Sequence, residues 1–238
     1  MSSEKIIVAL DVSDLEAARR LLDQLQGVIS FYKVGFEFFT AHGWKAVELV
    51  KKYDGRIFLD LKLHDIPNTA AKTAAVICEH DVDMFNVHAL GGLDMMREVR
   101  KTVDQKTKGK KNKPVVIAVT VLTSHSPESL SAELNISKPL QEQVLHLAAL
   151  TQQAGLDGVV CSPQEAAFLR SKFPKPFCLV TPGIRPEDSD KGDQQRTLTP
   201  LEAIQAGVDY MVIGRPITGA PEPRKAVLSI LNSTRASS

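Results

Sequence analysis

Cysteine is scarce in this 238-residue sequence: Cys78, Cys161 and Cys178 stand far apart, and no two of them form a CxxC pair. That spacing excludes a zinc ribbon or a dithiol redox site and fits a reduced, cytoplasmic protein. An excess of one charge is missing too. The 29 Lys and Arg against 28 Asp and Glu leave a formal net charge of +1, so no global field draws the chain toward nucleic acid or an anionic membrane. No apolar run approaches the ~18 residues of a spanning helix, and the start MSSEKIIVALD has no basic end followed by an apolar core, so neither a membrane span nor a secretory leader is expected. A dividing linker, a close internal repeat and a GxGxxG fingerprint after the first strand are also lacking. Their absence argues for one domain and against a doubly wound dinucleotide fold.

What is present is a regular alternation. Short β-branched or apolar runs, KIIVALD (5–11), FYKVG (31–35), RIFLDLK (56–62), MFNVHA (84–89), PVVIAVTVL (114–122), LDGVVC (156–161), FCLVTPG (177–183) and DYMVIGR (209–215), are separated by helix-like segments. In the segment 14–26, Leu15, Ala18, Leu22 and Leu25 form one apolar stripe, with Ser13 and Glu16 spaced as a capping box. Thr199, Pro200 and Gly207 suit the cap, first turn and stop of another helix. Eight strands alternating with helices imply a parallel sheet, and eight such units in this length predict a single (β/α)8 barrel over residues 1–238. The lysine-rich stretch 101–113 lacks aromatics for base stacking and reads as a solvated loop. The end NSTRASS (232–238) reads as a disordered tail.

In such a barrel the chemistry sits at the carboxyl ends of the strands. There the sequence places Asp11, Lys33, Asp60, Lys62, Asp65, His88, Thr123, Gly214 and Arg215. Most of these could be caps or rim contacts taken singly. The stretch FLDLKLHDIPNTA (58–70) is different, because period-two geometry aims Lys62 the same way as Asp60, toward the interior, where an unpaired ammonium is costly. A structural ion pair would account for those two, but it leaves the nearby Lys33 and Asp65 unexplained. At the end of the last strand, Gly214 and Arg215 let backbone N–H groups and a guanidinium approach a phosphate. The long polar loop from Pro182 to Arg196 carries Arg185 and Gln194, two more donors that closure could bring to it.

The segment DLKLHDIPNTA is similar to the DxKxxD signature of the orotidine 5′-phosphate decarboxylase family, and ALDVSD, YKVGFEFF, NVHALGG, VTVLTS, VTPGIRPE and VIGRPIT resemble that family in order and spacing. The resemblance implies conversion of orotidine 5′-monophosphate to UMP and CO2, the last step of de novo pyrimidine nucleotide synthesis, without metal or organic cofactor. It implies Lys62 as proton donor to the pyrimidine C6, with Asp60 holding it beside the departing carboxylate. Asp11 and Lys33 would bind ribose hydroxyls and position the charges, and Thr123 would contact the pyrimidine. Arg185, Gln194, Gly214 and Arg215 would hold the phosphate. Asp65, Ile66 and Thr69 would complete the site of a second subunit, making the protein a homodimer with shared sites. Magnesium-dependent sugar-phosphate decarboxylases or aldolases carry a similar DxKxxD pattern, but with a metal-binding glutamate on the second strand. Lys33 in YKVGFE would repel that ion. A catalytically silent nucleotide-binding barrel would not need a lysine set between two carboxylates.

Overall fold

In the computed structural model, which describes residues 3–186 and 197–234, the eight expected strands form a closed (β/α)8 barrel. They are β1 (Ile6–Ala9), β2 (Phe31–Gly35), β3 (Arg56–Leu63), β4 (Met84–His88), β5 (Val115–Val119), β6 (Gly158–Val160), β7 (Cys178–Thr181) and β8 (Tyr210–Ile213). Each pairs in parallel with its sequence neighbour, and β1 pairs with β8 through Ile6–Met211 and Val8–Ile213 to shut the sheet. Side chains alternate across it. Ile7, Ala9, Phe31, Phe58, Met84 and Ile117 belong to a cluster filling the barrel. Ile6, Val8, Tyr32, Val34, Leu59 and Phe85 instead pack in the layer shared with the helices. A one-residue slip would exchange these two sets, so the apolar pattern fixes the register.

Some helices begin where short polar side chains satisfy free N–H groups. Thr199 accepts from the Glu202 N–H and the Glu202 side chain reaches back to Thr199, with Pro200 opening the helix Pro200–Gln205. The turn that follows places Gly207 at φ +83, a conformation that glycine tolerates without a Cβ clash. At the helix Leu15–Leu25 the cap is Asp14 rather than Ser13, its Oδ2 accepting from the Ala17 N–H at 2.9 Å. A carboxylate one position later serves the same orphan donors and also complements the positive end of the helix dipole.

Two other expectations change. Lys101 to Lys106 end the helix Gly92–Lys106, whose Met95, Met96, Val99 and Val103 are buried, so only the remainder of the lysine-rich stretch is irregular. Three of its six lysines are tied to acids: Lys101 to Glu98, Lys106 to Glu79 and Lys113 to Asp104. The final helix, Pro223–Ser233, takes in Asn232 and Ser233, and Thr234 is buried. Asn232 and Ser233 of the expected tail are therefore helical though exposed, Thr234 is the C-cap, and 235–238 lie outside the described residues.

A repeat emerges at the amino ends of the strands. Asp83, Asp157 and Asp209 each stand just before an even-numbered strand. Each donates its backbone N–H to the carbonyl of the second residue of the preceding strand, Ile57, Val116 or Leu179. Each then accepts that same residue's N–H on its carboxylate, at 2.8, 2.7 and 2.8 Å respectively. An arginine covers each carboxylate, Arg56 at 3.8 Å, Arg100 at 3.1 Å and Arg170 at 2.5 Å. The three clamps join odd to even strands at the face opposite the site. Because Arg170 and Asp209 are both largely buried, Asp209→Ala should cost about 2–4 kcal/mol of unfolding free energy, leaving a buried guanidinium without its carboxylate. Asp83→Ala, whose arginine is more distant and more exposed, should cost about 1 kcal/mol. Urea denaturation of the two variants would check the order.

Candidate active site

The carboxyl ends of the strands surround a cavity of about 530 Å³. One side is lined by Asp11, Lys33, Asp60 and Lys62; Arg185, Gly214 and Arg215 line it with Pro182 and Gly183, and Thr123 and Leu122 form part of the rim. The charged residues form one chain of contacts. Lys33 Nζ donates to Asp11 Oδ1 at 2.8 Å and lies 3.5 Å from Asp60 Oδ2. Lys62 Nζ donates to Asp60 Oδ1 at 2.7 Å. Asp60 is thus gripped from both sides.

Strand geometry brings these groups together. Lys33 and Asp60 lie on adjacent strands, and Asp60 is paired in register with Gly35. A Cβ at Gly35 would come within 2.7 Å of Lys33 Nζ, so glycine there leaves the space that the ammonium occupies. Lys62 requires a local departure from the ladder. Leu59 pairs with Phe85 and Leu63 with Val87, so β3 takes four steps while β4 takes two. Within this bulge Lys62 has φ +47, the left-handed region, which costs a non-glycine residue about 1–3 kcal/mol. Leu61 and Leu63 still pack toward the helices and the Lys62 ammonium still points inward. The expected direction therefore holds although the backbone is not a regular strand at that point.

Burial and charge act oppositely on this array. For Lys33, burial works against the charged form, but the carboxylates of Asp60 and Asp11 outweigh it and raise the pKa above 10.5. For Asp60, burial works toward protonation, yet Lys33 and Lys62 together hold the carboxyl below 3.8, aided by the hydrogen bond from Asn86. Two opposite charges at 4 Å are worth about 4 kcal/mol at an effective dielectric of 20. That is comparable with the several kcal/mol lost on desolvating each ion, so two contacts to one carboxylate decide the balance.

Asp65, Ile66 and Thr69 do not line this cavity. They are exposed, Ile66 at 67%, on the turn after β3 and the start of the helix Pro67–Glu79. Asp65 accepts the Ile66 N–H at 2.7 Å. Arg185 is buried, and beside it Ile184 pairs in parallel with Leu198. Gln194 lies outside the described residues. His88 accepts from the Leu90 N–H through Nδ1 and stacks on His64 at 5.3 Å. Burial first, and then the neighbouring His64, Lys62 and His125, lowers its pKa to about 4, so it is neutral at physiological pH. Asn86 is a polar contributor that the sequence reading passed over. It is 1% exposed and donates to Asp60 Oδ1 at 2.7 Å. Its inward parity with Met84 and His88 was the available signal. Among the described residues, no group of three or more His, Cys, Asp or Glu side chains is arranged to hold a metal ion.

A closed parallel barrel with a charged, concave site at the carboxyl ends of its strands defines a (β/α)8-barrel enzyme. The chain belongs to the orotidine 5′-phosphate decarboxylase / HUMPS family, whose model matches residues 4–230. It is 49% identical over 230 residues to the orotidine 5′-phosphate decarboxylase of Moorella thermoacetica, covering 96% of this chain and 91% of that one. With the decarboxylase of Idiomarina loihiensis it shares 51% identity over 233 residues, covering 98% of this chain and 99% of that one. The crystal structure of orotidine 5′-phosphate decarboxylase from Lactobacillus acidophilus superposes with a TM-score of 0.86 at 36% identity, covering 97% of this chain and 99% of that one.

The shifts of Asp60 and Lys33 set a pH window. A depressed carboxyl stabilises the fold fully above its ordinary pKa of 3.8 and loses that contribution as pH falls through the folded value. A raised ammonium stabilises fully below 10.5 and loses its contribution as pH rises through the folded value. The unfolding free energy difference between wild type and Asp60→Asn should therefore be flat from about pH 5 to 9, narrowing in acid as Asp60 is protonated and again in alkali as Lys33 loses its charge. Urea titrations at several pH values would measure it, and a slope across neutrality would contradict the assignment.

Proposed function

We propose that the protein decarboxylates orotidine 5′-monophosphate to UMP and CO2 with no metal or organic cofactor. The observation that carries this reading is the Asp11–Lys33–Asp60–Lys62 array set in the same cavity as Arg185, Gly214 and Arg215, in a chain of this family. Loss of CO2 leaves a carbanion at C6 of the pyrimidine. Without a cofactor to delocalise it, the protein must stabilise that charge with groups already in place, and such groups are worth most where water is excluded.

Lys62 is the proton donor in this reading. Its ammonium faces the developing carbanion and then protonates C6. Asp60 holds that ammonium and stands near the leaving carboxylate. Asp11 and Lys33 bind the ribose hydroxyls, and Thr123 contacts the pyrimidine edge. Lys33 lies between two carboxylates that would otherwise invite a cation, which supports a metal-free site. Arg185, Gly214, Arg215 and Gln194 hold the phosphate. Binding energy from that remote group is available to close the 182–196 loop and is realised at the transition state.

Asp65, Ile66 and Thr69 act across a homodimer interface. Their exposure outside their own cavity supports this, as does the exposed apolar surface of Phe36, Ile66 and Leu90. The partner subunit's Asp65 would then complete each charged array, making activity depend on the dimer. A reduced, cytoplasmic setting fits the three free cysteines.

Loss of orotidine 5′-monophosphate absorbance on adding the purified protein in EDTA tests the reaction and its independence from metal together. Decay to UMP is the expected result, and no decay in EDTA with decay restored by Mg2+ would overturn the metal-free reading. Lys62→Ala should retain UMP binding and lose turnover by at least about 10²–10⁴-fold, the contribution of a placed proton donor. Arg215→Ala should lower kcat/KM by about 10–100-fold, the loss of charge-assisted phosphate contacts. Normal turnover in either variant would remove the corresponding role.

A further inference from the structure

We infer that Asn86 is a positioning residue for the proposed decarboxylation, fixing both the backbone that carries Lys62 and the carboxylate that its ammonium grips. This rests on the decarboxylase reading above. The bulge between Leu59 and Leu63 takes β3 out of step with β4 at this point. Asn86 sits on β4 between the residues that pair on either side of the bulge, Phe85 and Val87, with its side chain buried. Its Oδ1 accepts the Lys62 N–H at 2.7 Å, and its Nδ2 donates to Asp60 Oδ1 at 2.7 Å. The same Asp60 oxygen accepts from Lys62 Nζ.

The amide orientation follows from its partners, since a backbone N–H can only donate and an ionised carboxylate can only accept. One short, planar group must therefore offer an acceptor and a donor at once. Aspartate offers no donor unless protonated, and alanine offers neither group. Lys62 holds a left-handed conformation that non-glycine residues avoid; the Asn86 carbonyl stabilises it and satisfies its N–H. Asn86 does not line the cavity. Its effect on the reaction must pass through Lys62 and Asp60 rather than through the substrate.

Asn86→Ala and Asn86→Asp separate positioning from packing. In Asn86→Ala, kcat should fall on the order of 100-fold, the scale for an ångström-sized misplacement of a reacting group, while UMP affinity stays near wild type. Hydrogen exchange of the Lys62 amide should be protected in the wild type and lose that protection in Asn86→Ala. Asn86→Asp keeps the acceptor for that amide but sets a second carboxylate against Asp60. Its kcat should rise as pH falls, because a protonated Asp side chain donates to Asp60 as the amide did. That acid recovery should be missing from the wild type and from Asn86→Ala.

A kcat within about twofold of wild type in both variants would overturn the inference. Unchanged exchange of the Lys62 amide in Asn86→Ala would do the same, as would a loss of UMP affinity equal to the loss of kcat. If Asn86→Ala does not fold, the pH profile of Asn86→Asp carries the test, and a flat profile there counts against positioning. If the wild type itself does not turn over orotidine 5′-monophosphate, the functional reading fails separately, and Lys62 amide exchange in the folded variants still decides the positioning.

Discussion

The Asp60 carboxylate is the contact on which the site depends. It is buried at the mouth of the barrel, takes a hydrogen bond from Lys62 Nζ and another from Asn86 Nδ2, and faces Lys33 Nζ across 3.5 Å. A carboxylate taken out of water loses several kcal/mol of hydration, and so does each ammonium beside it. None of these ions is tolerable there alone. Together they are mutually stabilising, because every charge that is desolvated meets an opposite charge in the same place. Removing Asp60 would leave Lys33 with only the more exposed Asp11, so the array stands or falls as a unit.

That arrangement places demands on the fold. Gly35 must leave room for Lys33, and β3 must bulge so that Lys62 can return to the Asp60 oxygen. Strain of this kind persists only on a frame that does not yield. The frame is visible at the opposite end of the barrel, where Asp83, Asp157 and Asp209 each clamp the strand before them and are covered by arginines. Charged groups thus serve two purposes at two faces. At the amino ends they satisfy backbone donors and hold strands in register; at the carboxyl ends they are gathered around open space.

Much of this was legible in the sequence. Seven of the eight strands fall within the runs that the sequence marked out, and β3 overruns its own by one residue, because strands buried on both faces read as short continuous apolar runs and the intervening stripes demand a helix. Lys33 and Asp60 converge because strand parity fixes their direction, whereas Lys62 reaches Asp60 from a bulge and Asp11 meets Lys33 from just beyond the end of β1. Less legible were features that depend on the partner across a strand pair. Asn86 was visible as an inward polar residue, but nothing in MFNVH says that it faces the bulge of β3. The three aspartate clamps recur at unequal spacings: Asp157 and Asp209 each follow Gln-Ala-Gly and one aliphatic residue, a match too short to mark a repeat by itself, and Asp83 follows His80-Asp81-Val82 instead. Ser13 and Asp14 compete for one cap, and sequence gives no means of choosing between adjacent residues that both serve. The exposure of Asp65, Ile66 and Thr69 could not be read from parity, since they follow the end of the strand where that rule stops.

A preformed charge network, rather than substrate, keeps the largely buried Lys33 ionised. The most direct measurement is the titration of the Lys33 side-chain nitrogen by ¹⁵N NMR in the unliganded protein, in wild type and in Asp60→Asn. Lys33 should titrate above 10.5 in the wild type, and neutralising residue 60 should lower its pKa because burial is then opposed by Asp11 alone. A wild-type Lys33 that titrates at or below its ordinary value, unmoved by Asp60→Asn, would contradict it.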